Sequence, residues 1–343
     1  MNFRSDNEAP VAEPIMQALL EANQGFAESY GYDHYTEMLE KRLTDIFEHW
    51  VAVIPLTTGT AANALAVAQC TPPYGAVYCH ENAHLNKDEC GAPEFYSAGA
   101  KLVDLPGEHG KLSPEILQKA LAATGAHGEH ENRPSCLSLT QSTEAGTIYT
   151  VDEIRTLTEV AKQSPWQLAC HMDGSRFANA LAALKCAPAE MTWKSGIDLL
   201  SLGATKNGAM LAEALVIFNP DYATEIKRRR KRAGQLVSKM RFISAQMLAW
   251  LKDDLWLQLA THANSMAAGF YREMQSRVEF LFPVQANEAF LRLPETAIAE
   301  LQQAGFAFHV WPGSTDVIRL VFSHATRPED CAALVTHMNR ALA

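Results

Sequence analysis

The chain has 343 residues, 48% hydrophobic and 20% charged, the make-up of an ordinary globular protein with room for one large domain and a smaller one. Its formal net charge of −10 argues against general nucleic-acid binding. No apolar stretch approaches a membrane span, and Met1-Asn2-Phe3-Arg4-Ser5-Asp6 has no apolar signal core, so a cytoplasmic location is expected. The seven cysteines are scattered without a C-x-x-C pair, which predicts free thiols.

Residues 1–12 are polar and read as an arm. Pro14, Ile15, Met16, Leu19 and Leu20 predict a short helix over 14–23, and helical spacing predicts another over 35–49. A buried strand is expected over 51–56, then Thr57-Thr58-Gly59-Thr60, then an alanine-rich helix over 61–69. Strands over 76–79, 101–105, 135–140, 168–172, 199–202 and 214–218 alternate with helices over 114–123 and 151–163. Such alternation implies an α/β fold with a mostly parallel sheet between helices. The texture changes after residue 245. A long helical stretch, 244–280, has a break near Asp253, and strands over 289–293, 306–310 and 317–322 surround a helix over 296–304. A last helix begins near Pro328. The expected division is a large domain over 1–245 and a smaller α+β domain over 246–343.

Two strand ends carry the chemistry. One apolar run ends in Gly203-Ala204-Thr205-Lys206-Asn207-Gly208, and another ends in His171-Met172-Asp173-Gly174-Ser175-Arg176. A lysine at a partly buried strand end loses hydration, which favours the neutral, nucleophilic amine. A lysine and an acid at neighbouring strand ends are what pyridoxal phosphate (PLP) needs, the first for its Schiff base and the second for its pyridinium nitrogen. Thr58-Gly59-Thr60 at a helix start suits the phosphate, or serves only as an N-cap. Arg176 and Arg319 are candidates for a substrate carboxylate, since a guanidinium fork binds it bidentately. The plainer readings are a pair with Asp173 for Arg176 and an intramolecular salt bridge for Arg319.

His80-Glu81-Asn82-Ala83-His84 matches the zinc motif H-E-x-x-H. It follows a strand directly and lacks a convincing third ligand, so no metal is expected. His84 reads better as a residue that stacks on a flat cofactor ring near a reacting hydroxyl. Lys227-Arg228-Arg229-Arg230-Lys231-Arg232 reads as a solvated helix face, or as part of an interface from which Arg241 reaches a phosphate in a neighbouring subunit.

Taken together, Phe3-Arg4-Ser5-Asp6-Asn7, Thr58-Gly59-Thr60, Ala83-His84, the Asp173 and Lys206 motifs and Ile318-Arg319-Leu320 resemble the L-threonine aldolases, PLP enzymes of the aspartate-aminotransferase-like fold family. The Thr-Lys-Asn-Gly form is most similar to the bacterial low-specificity branch. The resemblance covers nearly the whole chain and implies PLP fold type I. It implies catalytic roles for Lys206, His84, Asp173 and His130, with His127 a rival to His130. It assigns Gly59, Thr60, His84, Asp173, Arg176, Lys206 and Arg241 to the cofactor, and Ser5, Arg176 and Arg319 to the substrate carboxylate. A homodimer or homotetramer sharing its site across subunits follows from it. The implied reaction is retro-aldol cleavage of L-threonine and related β-hydroxy-α-amino acids to glycine and an aldehyde. A β-eliminating lyase is the nearest rival, and a zinc hydrolase the remote one.

Overall fold

The computed structural model describes residues 1–342. Seven strands form the central sheet: β1 (Ala52–Leu56), β2 (Gly75–His80), β3 (Lys101–Leu105), β4 (Arg133–Thr140), β5 (Ala169–Gly174), β6 (Leu199–Gly203) and β7 (Glu213–Ile217). Their spatial order is β1-β7-β6-β5-β4-β2-β3. All run parallel except β7, which is antiparallel to both β1 and β6. The apolar runs read from the sequence are these strands, and β2, β5, β6 and β7 are buried along their whole length, as a sheet covered on both faces requires.

Helix formation follows the local code. Val151–Gln163 opens on a capping box, with Thr150 accepting from Glu153 N–H and Glu153 reaching back to the Thr150 N–H. Its buried Ile154, Leu157, Thr158 and Ala161 recur at helical spacing and face the sheet. Gly59–Cys70 is buried on every side from Ala61 to Ala68, so its alanines let it lie close to its neighbours. The polybasic run is indeed helical, Ile226–Arg232, but Arg230 within it is buried.

A second sheet, order β8-β10-β9, is antiparallel throughout: β8 (Glu288–Arg292), β9 (His309–Val310) and β10 (Val317–Val321). Helices Leu255–Met274, Glu295–Gln303 and Pro328–Ala341 pack with it. The break expected near Asp253 is present, with Asp253 and Asp254 both in the left-handed region. The helix after it stops at Met274 rather than continuing to 280. Residues 279–281 pair with β8 instead, through Leu281 N–H to Phe290 O at 2.9 Å and Arg292 N–H to Glu279 O at 3.0 Å. Those ladder bonds outcompete helical extension.

Several apolar clusters result, and the two largest share an element. Trp256 and Ala260 belong to the first and Ala267, Phe270 and Met274 to the second, so one helix serves both. The arm also joins them. Phe3 is fully buried in the second core, 5.4 Å edge-on from Phe322, while the Ala12 N–H donates to Gly208 O at 2.8 Å beside the large sheet.

Phe3→Ala should cost about 3 kcal/mol or more, the usual penalty for emptying an aromatic site. Urea unfolding followed by tryptophan fluorescence would read it, and a midpoint equal to the parent's would show that the arm carries no packing energy.

Candidate active site

Ligands of such sheets bind beyond the carboxyl ends of the parallel strands. A cavity of about 300 Å³ opens there, lined by Asn7, Thr57, Thr58, Gly59, Thr60, Asn63, His84, Glu89, Ser175, Thr205, Lys206 and Glu213. It gathers side chains from the ends of β1, β5 and β6, from the arm and from the turn after β2.

At one end, Thr58 caps helix Gly59–Cys70 by accepting from Ala61 N–H at 3.2 Å. The capping reading therefore holds, and it is compatible with a ligand. Gly59 and Thr60 sit at the first two helical positions, where no intrahelical acceptor exists for their N–H groups. A Cβ placed on Gly59 would meet only Ser175 Oγ, at 3.6 Å, so the cup above it is open. Helix-start N–H groups with open space before them form an anion site.

Behind the lining residues Asn63 and Ser175, Asp173 is buried and fully bonded. Its Oδ1 accepts from Ser175 N–H at 3.0 Å and Ser175 Oγ–H at 2.7 Å, and its Oδ2 accepts from Asn63 Nδ2 at 3.0 Å. Burial opposes ionisation, but the Ser175 donors and the Lys206 charge outweigh it and hold the carboxyl below its ordinary range. Asp173 is thus an anion within a buried site. Two residues earlier on the same strand face, His171 bridges Ser138 Oγ and Ser201 Oγ, both at 2.9 Å. Burial pushes its pKa down to about 4, so it stays neutral and pins β4, β5 and β6 together.

His84 begins the short helix His84–Lys87, and its Nδ1 lies 2.9 Å from Glu89 Oε1. The same Glu89 oxygen accepts from Asn63 Nδ2 at 2.7 Å. Asn63 therefore joins two carboxylates, with the histidine at one end and Asp173 at the other. The Glu89 bond, against partial burial, raises the His84 pKa above the ordinary imidazole value. Burial also raises Glu89. A carboxylate acceptor at Nδ1 favours the tautomer that carries its proton there and directs the lone pair of neutral His84 to Nε2.

The H-E-x-x-H motif does not form a metal site of the helical kind. His80 ends β2, its Nε2 faces Gly107 O at 3.1 Å and its Nδ1 accepts from Asn82 N–H at 3.1 Å. Both ring nitrogens are used, and His84 starts a separate element.

The two arginines differ. Arg176 is buried and forked onto Asp6, with Nε to Oδ2 at 2.8 Å and Nη2 to Oδ1 at 3.0 Å, and its Nη1 is 3.3 Å from Glu288. Arg176 is thus ion-paired, but with Asp6 and Glu288 rather than with Asp173 three residues before it. Arg319 has no such fork: its Nη1 is 3.9 Å from Glu288, its Nη2 donates to Arg4 O at 3.4 Å, and its Nε has no partner among the described residues. Ser5 caps the turn Asp6–Glu8 by accepting from Asn7 N–H at 3.2 Å, and Asn7 rather than Ser5 lines the cavity.

A family model described as beta-eliminating lyase matches residues 2–295. The chain belongs to that family. It is 42% identical over 314 residues, 91% of this chain and 89% of the relative, to the low specificity L-threonine aldolase of Pseudomonas aeruginosa. The threonine aldolase structure from Leishmania major covers 100% of this chain and 99% of its own, at 27% identity and a TM-score of 0.93. A serine palmitoyltransferase holding PLP, 14% identical over 99% of this chain and 87% of its own, has a TM-score of 0.74 and shares the fold.

Of the residues singled out in the sequence, Gly59, Thr60, His84 and Lys206 line the cavity, whereas Ser5, Asp173, Arg176, Arg319, His130 and Arg241 do not. His130 is in an exposed turn, Gly128–His130, and is not among the lining residues, nor is His127. Arg241 donates to Gly25 O at 3.2 Å and does not line this chain's own cavity. Conversely, Asn63, Glu89 and Glu213 line the cavity and were not foreseen. Glu144, in the loop after β4, also acts electrostatically on His84 and Arg176.

Two tests follow from the bonds. Asp6→Asn removes the anion that holds Arg176, and breaking a buried pair of this kind should cost about 3–5 kcal/mol. Thermal unfolding would check it, and an unchanged midpoint would show that Glu288 alone suffices. Glu89→Gln keeps an acceptor but removes its charge, so the His84 pKa should fall toward the ordinary imidazole value. In an NMR titration of labelled histidine, an unmoved His84 resonance would refute that coupling.

Proposed function

We propose that the chain is a PLP-dependent aldolase that cleaves L-threonine, L-allo-threonine and related β-hydroxy-α-amino acids reversibly to glycine and an aldehyde. The observation that carries the proposal is the gathering of Lys206, His84 and an open helix start around one cavity, with anionic Asp173 bonded directly behind its lining residues Asn63 and Ser175. The names of the Pseudomonas and Leishmania relatives support the same substrate class. No helix among the described residues is long and apolar enough to cross a membrane, and a cytoplasmic small-molecule enzyme is the reading we adopt.

The residues present fit the cofactor. The free N–H groups of Gly59 and Thr60 would take its phosphate, Asp173 its ring nitrogen and Lys206 its aldehyde carbon, with His84 stacked on the ring. When bound, PLP supplies the electron sink into which the Cα–Cβ bonding pair is drawn. Asp173, held as an anion by Ser175 and Asn63, keeps a proton on the ring nitrogen. Arg319 reads the substrate carboxylate, with Ser5 beside it. Arg176, already committed to Asp6, is the fixed cation behind it. His84 Nε2 takes the β-hydroxyl proton directly or through a water, and Glu89 stabilises the imidazolium so formed. A base in this position typically contributes about 10² to 10⁴-fold.

We further assign Arg241, whose Nε has no partner among the described residues, to the phosphate of a neighbouring copy's site in a homodimer or homotetramer. His130 keeps a place in the proposal only as a residue that a partner copy would bring to the site. The chain reads as a large unit over 1–245 and a smaller one over 246–343.

Lys206→Ala should abolish turnover and the cofactor's Schiff-base absorbance, and retained activity would refute the assignment. His84→Asn should keep the absorbance and lose about 10² to 10⁴-fold in cleavage rate. Product analysis separates the family's other chemistry: glycine plus aldehyde supports the aldolase, whereas ammonia plus an α-keto acid identifies β-elimination.

A further inference from the structure

One buried acid in the cavity has no part in this mechanism. Glu213 is the first residue of β7, the single strand of the large sheet that runs antiparallel. Because β7 is reversed, its first residue stands at the rim where its neighbours end. Its register partners are Leu56 of β1 and Gly203 of β6. Those strands lead directly into the two loops that matter, Thr57–Thr60 and Ala204–Lys206. Glu213 lines the cavity between them and is only 6% exposed.

Space has been left for it. A Cβ on Gly203 would lie 2.9 Å from Glu213 Oε2 and 2.9 Å from Ser175 Cα, so glycine is required where the carboxyl passes. The groups facing Glu213 are few. Lys206 and the Thr205 side chain and backbone come from the loop after β6, and Asp173 comes from β5. Helix Gly59–Cys70 carries no charged residue, and the loop after β1 contributes the uncharged Thr57 and Thr58. Burial, opposed by Thr205 and Lys206, pushes the Glu213 carboxyl up to about 7. Both protonation states are therefore populated near neutrality.

In a cavity whose helix-start N–H groups face an anion, an ionised carboxylate opposes that anion, whereas a carboxylic acid is a hydrogen-bond donor to it. We propose that Glu213 is a proton-linked member of the phosphate cup: it receives the cofactor phosphate as the neutral acid, donating to a phosphate oxygen, and repels it as the carboxylate. This rests on the cofactor reading above. The sign follows from linkage. A bound phosphate dianion raises the affinity of Glu213 for its proton, so binding above pH 7 draws a proton from solvent. Affinity should then fall by up to about tenfold per pH unit above that point. The device makes cofactor retention sensitive to alkaline conditions without any change at Lys206.

The test uses the cofactor-stripped full chain and pyridoxamine 5′-phosphate, which has an amine in place of the aldehyde and cannot condense with Lys206. Calorimetry at pH 8 in two buffers of different ionisation enthalpy counts protons taken up. The wild type should take up close to one proton more than Glu213→Gln. Its affinity should fall between pH 7 and 8.5, and that of Glu213→Gln should change less. Glu213→Ala should lose the same proton, which covers the case of a repacked amide. Unphosphorylated pyridoxamine should show no difference between wild type and variants. Binding with proton uptake unchanged by both substitutions overturns the inference and leaves the cofactor reading standing. No binding to the wild type at any pH overturns the cofactor reading, and the inference with it.

Discussion

The buried ion cluster around Arg176 holds the site in place. A guanidinium taken out of water is costly, and only good geometry offsets that cost. Here the fork meets Asp6 through two bonds of 2.8 and 3.0 Å, and Glu288 lies on its other side. Asn287 donates to the same Asp6 at 3.1 Å. The three acidic and amide partners come from the arm and from the edge of the second sheet, while Arg176 closes the end of β5. One cluster thus fixes the arm across the cavity, which is why Asn7 lines it, and fixes the small sheet over the large one. It also divides the labour between the arginines. Arg176 is immobilised, and Arg319 retains unfilled hydrogen-bonding capacity.

Much of this was legible. Strand and helix positions follow from apolar runs, caps and prolines, and most boundaries lie within one or two residues of those read from spacing. Lys206, Asp173, Gly59, Thr60 and His84 were legible because each stands where an apolar run ends at the carboxyl rim. The residues that escaped lack that signal. Glu213 precedes an apolar run, and only the reversal of β7 brings it to the rim. Asn63 looks like a polar interruption in an alanine helix, and Glu89 like a loop acid. The partner of Arg176 is 170 residues away, so nothing local told that it was already engaged. Arg230 shows the converse: a run of six cations reads as solvated, yet one of them faces inward.

The buried polar chain from His84 through Glu89 and Asn63 to Asp173 runs from the cavity's lining to the acid behind it. Asn63 donates to both carboxylates through one nitrogen, so neither acid can shift without altering the other. Residues assigned to proton removal and to the ring nitrogen are therefore tied electrostatically as well as by position. Glu213 is not hydrogen-bonded into this chain, but Asp173 also acts on it electrostatically.

The arm has a consequence for how the chain is made. Phe3 packs against Phe306 and Phe322, and Asp6 finds Arg176 and Asn287. During synthesis, residues 3–6 emerge some three hundred residues ahead of their last partners. They must wait, unpaired and partly apolar, while the large sheet assembles behind them. Contacts so distant along the chain form late and slowly. The cavity's edge is thus expected to close last, after the second sheet exists, so a nascent chain carries its lysine and its acid well before it can enclose a ligand.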